Sequence, residues 1–226
     1  MRNRVLAIAG AGLALCAISA LMLQPLFSAP DVPVLDIGKD FPARNAHDEE
    51  VGSCPWRQPD ADRKLFFAEA TSAREETLIL SRQRSLIARQ LGRQPTGQEN
   101  AIQIHRCVWR DARGEHLAGT ILTRCVSGES GLIELVLAVD KHGSICGARL
   151  QRLREPNAVA RELQSARFLN AFKGKTFASH WKADRNLTAV VPSAQVSAAA
   201  LVEGARSAMI LLQAGEQLNK RSGKSP

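Results

Sequence analysis

Four strand-like runs, at residues 102–109, 117–126, 132–139 and 144–153, stand end to end with only tight-turn sequences between them. The links, residues 111–114, 127–131 and 140–143, are built from Asp, Ser and Gly, the side chains that satisfy a turning backbone. Neighbouring strands joined this briefly pair antiparallel, because a parallel partner needs a crossover of a dozen or more residues. An antiparallel meander is therefore the centre of the expected fold. Apolar residues at helical spacing predict a basic helix from Asp60 or Asp62 to Gly92, a second helix over 158–172, and a last one from Ser193 or Ser197 to Leu218. On the last helix, Leu201, Ala205, Ala208, Met209 and Leu212 share one face. Together these elements predict an α+β fold, an antiparallel sheet meander flanked by helices, with one N-terminal transmembrane helix.

The transmembrane expectation comes from the first thirty residues. Arg2 and Arg4 are followed by an uncharged stretch up to Pro30, longer than the ~20 apolar residues that cross a bilayer core as a helix. Positive charge on the leading side alone keeps the N-terminus inside. Cleavage after Ala29 would put Phe27 where a signal peptidase wants a small residue, so an uncleaved anchor is preferred to a removed leader. The organisation expected is a cytoplasmic stub at 1–4, a signal anchor at 5–27, a Pro-containing periplasmic linker at 28–63, a domain at 64–218 and a basic tail at 219–226. This places the protein in a bacterial inner membrane, single-pass, with the C-terminal domain in the periplasm.

Outside the anchor, Cys54, Cys107, Cys125 and Cys146 are an even set that an oxidising compartment could join as two disulfides, in any of three pairings. They lack CxxC or Cys/His spacing, and the five histidines are scattered, so no metal site is expected. Lys plus Arg number 30 against 22 acidic residues, a net charge of +8. With no Tyr and 4% aromatic residues the chain lacks the stacking platforms of a nucleic-acid binder. A membrane surface or an acidic partner suits the charge better. The Gly128–Gly131 turn lacks the spacing of a hydrolase elbow, and Lys175–Thr176 lacks the leading glycine and strand of a phosphate loop, so no catalytic residue is assigned.

The junction at Ser193, Ala194, Gln195 and Ser197 leads small and hydroxyl residues into a helix, a place where unpaired backbone N–H groups suit a phosphate. In element order the chain, from about Leu65 to Leu212, resembles the FMN-binding domain family, the periplasmic domain found in Rnf-type electron transport complexes and in sodium-pumping NADH:quinone oxidoreductase. The resemblance rests on residues 131–150, with the Asp140–Gly143 hairpin, and on Phe168, Phe172, Gly174 and Lys175, which match an F-x-x-x-F-x-G-K helix end. It implies an FMN-binding flavoprotein of electron transport, with Ser193, Ala194, Gln195 and Ser197 holding the phosphate and Glu155 and Pro156 in a loop against the flavin. Where the family attaches FMN to the Thr of Ser-Gly-Ala-Thr, this chain has Gln195, which has no hydroxyl to esterify. Where the family has Thr-Pro-Gly-Leu-Gly, the segment from Glu155 has lost both glycines. The resemblance thus implies noncovalent FMN and membrane redox complex subunits as partners. The alternative is a flavin-free scaffold or assembly module, its FMN site decayed, that docks a membrane redox partner.

Overall fold

The computed structural model describes residues 54–181 and 191–221, all within a unit that spans Asn45–Pro226. The stub, the anchor and residues 28–53 of the linker lie outside the described residues, as does the tail beyond Arg221.

The expected meander is present and has one more strand. Helix α1 (Pro59–Phe66) is followed by β1 (Ser72–Ile79), α2 (Arg84–Leu91), β2 (Ala101–Asp111), β3 (Gly114–Ser127), β4 (Leu132–Asp140) and β5 (Ile145–Leu153). Two short helices, α3 (Asn157–Leu163) and α4 (Ala166–Asn170), and the long α5 (Gln195–Arg221) complete the described chain. The sheet runs β1-β2-β3-β4-β5, and every pairing is antiparallel. The turn chemistry explains the connections: Asp140 Oδ1 accepts from His142 N at 2.8 Å and from Ser144 N at 3.0 Å, which folds β4 back onto β5.

Two sequence expectations are corrected. The single helix over residues 60–92 is instead α1, then β1, then α2. The segment Ser-Ala-Arg-Glu-Glu-Thr-Leu-Ile is rich in helix formers, yet it pairs along its whole length with β2, Leu78 opposite Ile102 and Ile79 opposite Ala101. Its expected stop survives, since Gly92 closes α2 in the left-handed region at φ 71°. The helix over 158–172 is interrupted, because Ser165 caps a new helix by accepting from Phe168 N.

Strict alternation on β4 sends Ile133, Leu135, Leu137 and Val139 to one face of the sheet and Glu134, Val136 and Ala138 to the other. The first face carries the main core. It is covered by α5 through Ala198, Leu201, Ala205, Ala208, Met209 and Leu212, which includes the whole helix face read from the sequence. By length and composition the stretch Pro192–Asn219 could cross a membrane, but 72% of its apolar window is buried inside the domain, as befits a core helix.

The second face is covered by residues 54–70. Phe67 and Ala70 pack on Cys107, Ile121, Val136 and Ala138, with Trp56 and Phe66 beside them. Two buried carboxylates anchor this cover. Glu134 accepts two hydrogen bonds from Arg57, at 2.6 and 2.7 Å, and Asp62 accepts from Arg149 at 2.6 and 2.8 Å and from the Trp56 indole at 2.8 Å. Residues 54–63, assigned to the linker on sequence grounds, therefore belong to the folded domain.

Candidate functional site

The N-terminal end of α5 meets three other segments: the β3–β4 turn, the segment after β5, and α3. A 3-10 turn, Pro192–Ala194, feeds the helix, and Ala194 points into the core with no exposure. Ser197 is fully buried. Its hydroxyl donates to Glu155 Oε1 at 2.7 Å and accepts from the backbone N–H of Glu129 at 2.8 Å. The N–H of Ser130 points at the same Glu155 carboxylate, 3.3 and 3.2 Å from its two oxygens. One turn earlier, Glu162 of α3 accepts from Ser193 N at 3.2 Å and from Ser193 Oγ at 2.6 Å.

Of the six residues named for FMN, the structure thus brings together Ser193, Ser197 and Glu155. Ala194 is a core residue, Gln195 is exposed, and Pro156 is the exposed N-cap of α3. What the sequence did not single out is Glu162, whose place beside Ser193 depends on how α3 docks. The β3–β4 turn was read only as a hairpin, and it contributes two N–H donors to the cluster.

The residues present do not fit a flavin phosphate. A phosphate at a helix N-terminus needs donors that are otherwise unsatisfied. Here two carboxylates take the Ser193 N–H and the hydroxyls of Ser193 and Ser197, and both are placed where the positive end of the helix dipole favours an anion. Space is short as well: a Cβ added at Gly128 would run into Glu155 Oε1 and lie 3.0 Å from Ser197 Oγ. A phosphate brought here would meet two negative charges and a packed floor.

A second polar cluster is internally paired as well. Arg106 is buried between Glu76, at 3.0 Å, and Glu216, at 2.6 Å, with Thr120 on its third side, beside a cavity of about 210 Å³ that reaches Asp140 and Phe177. A wider cavity of about 480 Å³ opens along β1 and is lined by Trp56, Arg63, Glu75 and His105. The His105 ring lies tilted against Trp56 with ring centres 4.4 Å apart, and burial holds its imidazole below the ordinary histidine range. Among the described residues no three His, Cys, Asp or Glu side chains gather to hold a metal ion. Of the four cysteines among the described residues, the sulfurs of Cys54 and Cys125 touch at 2.7 Å, while Cys107 on β2 and Cys146 on β5 have two strands between them.

No protein-family model matches the chain, and no curated protein matches it.

Proposed function

We propose that the chain is a membrane-anchored extracytoplasmic binding module that works without flavin and docks an acidic partner at the membrane, a redox complex subunit being the class its resemblance suggests. The observation that carries this reading is the occupation of the α5 N-terminus by Glu155 and Glu162. A scaffold of the FMN-binding kind whose phosphate cradle is filled by its own carboxylates keeps its shape and loses its cofactor.

The basic surface supports the docking half of the proposal. Arg82 and Arg89 are exposed on and beside α2 and make no ion pair among the described residues, unlike Arg93, which forks onto Glu99 at 2.8 Å through both nitrogens. Exposed cations of this kind speed encounter with an acidic surface and make it salt-sensitive. The N-terminal apolar segment at 5–27 would tether the domain to the bilayer.

Absorbance and FMN titration decide the matter. The purified full chain is expected to show no flavin bands and to leave the fluorescence of added FMN unquenched. A yellow preparation, or stoichiometric quenching at micromolar FMN, would restore the electron-carrier reading. Reversing Arg82 and Arg89 to Glu is expected to weaken co-purification of the membrane partner without changing the unfolding midpoint. Unaltered co-purification would remove the docking face.

A further inference from the structure

We infer that Cys54 and Cys125 form a reversible disulfide that locks the segment entering the domain onto the sheet, while Cys107 and Cys146 remain thiols. This goes beyond the proposed docking role and does not depend on the identity of the partner.

The segment 54–57 crosses the second face of the sheet like a strap. The Cys54 carbonyl accepts from Thr123 Oγ1 on β3, the Pro55 carbonyl from Gln151 Nε2 on β5, and Arg57 reaches Glu134 on β4 while its own N–H donates to Gln151 Oε1 at 3.0 Å. Cys125 lies on that same face of β3, two positions along from Thr123, and its thiol meets the Cys54 thiol at 2.7 Å. The backbone is already held where a bridge requires it.

The other pairings are excluded by the sheet. β3 and β4 separate Cys107 from Cys146. Three strand spacings of about 4.8 Å exceed the ~7 Å between Cα atoms that a disulfide tolerates. Cys107 pairs in register with Gly119, well along β3 from Cys125, under the cover of Phe67. Burial pushes its thiol up, as it does that of Cys54, so what separates the two is position: Cys54 lies against Cys125 and Cys107 does not.

Exposure sets the order of events. Cys125 is exposed and Cys54 buried. The Cys125 thiolate attacks an external disulfide, joins one of its sulfurs and expels the other as a thiolate. The Cys54 thiol then gives up its proton and attacks the Cys125 sulfur, which releases the second external thiol. Two cysteine thiols lose two hydrogens, and one disulfide of the oxidant becomes two thiols. Outside the cytoplasm the oxidant is a protein of the dithiol–disulfide exchange class; in the test it is oxidised glutathione.

The full chain in detergent is equilibrated in glutathione buffers of graded poise, alkylated and mapped as non-reduced peptides. The expected result is one cross-linked peptide joining Cys54 to Cys125, with Cys107 and Cys146 recovered as alkylated thiols after denaturation. Limited trypsin digestion then reads the lock: cleavage after Arg57 is expected to be several-fold slower in the oxidised form and to return to the reduced rate on adding dithiothreitol. Full alkylation of Cys54 and Cys125 at the most oxidising poise, or cross-links that include Cys107 or Cys146, would overturn the pairing. Equal cleavage after Arg57 in both forms would overturn the lock.

Discussion

At the scale of single residues, this domain is organised by carboxylates that sit where water does not reach. Glu134 is 1% exposed. Hydrogen bonding from Arg57 holds its carboxyl below the usual glutamate range, against the opposing effect of burial, and Arg152 adds to the effect. At Glu99 burial pushes the carboxyl up, and the hydrogen bonds from Arg93 and Thr96 overcome it, so the net direction is again down. A depressed carboxyl binds its proton more weakly in the folded than in the unfolded chain. The stability these groups contribute is therefore complete above the unfolded value, about pH 4.5, and is lost as the pH falls through the lower folded value. Thermal unfolding followed by circular dichroism from pH 7 to pH 3 should show this loss. The substitution Glu134→Gln should lower the midpoint at pH 7 and flatten the acid limb; an acid limb as steep as that of the parent protein would remove Glu134 from the account. Ser197→Ala should cost about 1–3 kcal/mol, because it strands the Glu129 N–H and removes a donor from Glu155 in a buried place. Chemical denaturation at neutral pH measures it, and a change within error would mean that water replaces the hydroxyl.

At the scale of elements, the alternation on β2 to β5 and the apolar face of α5 were legible because each is written in consecutive residues. β1 was not. Apart from Leu78 its side chains are half-buried or exposed, as on an edge strand, and Ala, Arg and Glu favour a helix locally; only the ladder with β2 makes it a strand. The approach of α5 to the sheet has the same long-range character. A Cβ added at Gly204 would overlap Val126 Cγ1. Alanine is favoured over glycine in a helix by about 1 kcal/mol, and overpacking costs about 1–3 kcal/mol. Gly204→Ala is therefore expected to destabilise, and Val126→Ala in the same chain should recover most of the loss. A stabilising Gly204→Ala would show that α5 has room to move away from β3.

At the scale of the whole molecule, the boundary of the domain matters most. A chain cut to begin at residue 64 would lack Trp56, Arg57 and Asp62, and would leave the buried Glu134 with only the more distant Arg152 and Gln151 and the Arg149 guanidinium without Asp62. Breaking a buried ion pair from one side costs about 3–5 kcal/mol, a large part of a domain's whole stability. A chain starting at Asn45 should unfold cooperatively, whereas one starting at 64 should unfold at a much lower midpoint or without a sharp transition. Equal midpoints for the two would return residues 54–63 to the linker.

The order of β2 to β5, their antiparallel pairing and the buried face of the last helix follow from the sequence by itself, because period-two and helical spacing, with Asp and Gly at the turns, are local signals. Tertiary structure decided that Ser-Ala-Arg-Glu-Glu-Thr-Leu-Ile is a strand, that residues 54–63 cover the sheet, and that Cys54 meets Cys125. It also decided the candidate site. Ser193 and Ser197 look like an open anion cradle as long as only their own helix is considered. The carboxylates that fill it come from Glu155 and Glu162, dozens of residues earlier, and the docking of α3 and of the segment after β5 alone brings that charge to the helix end.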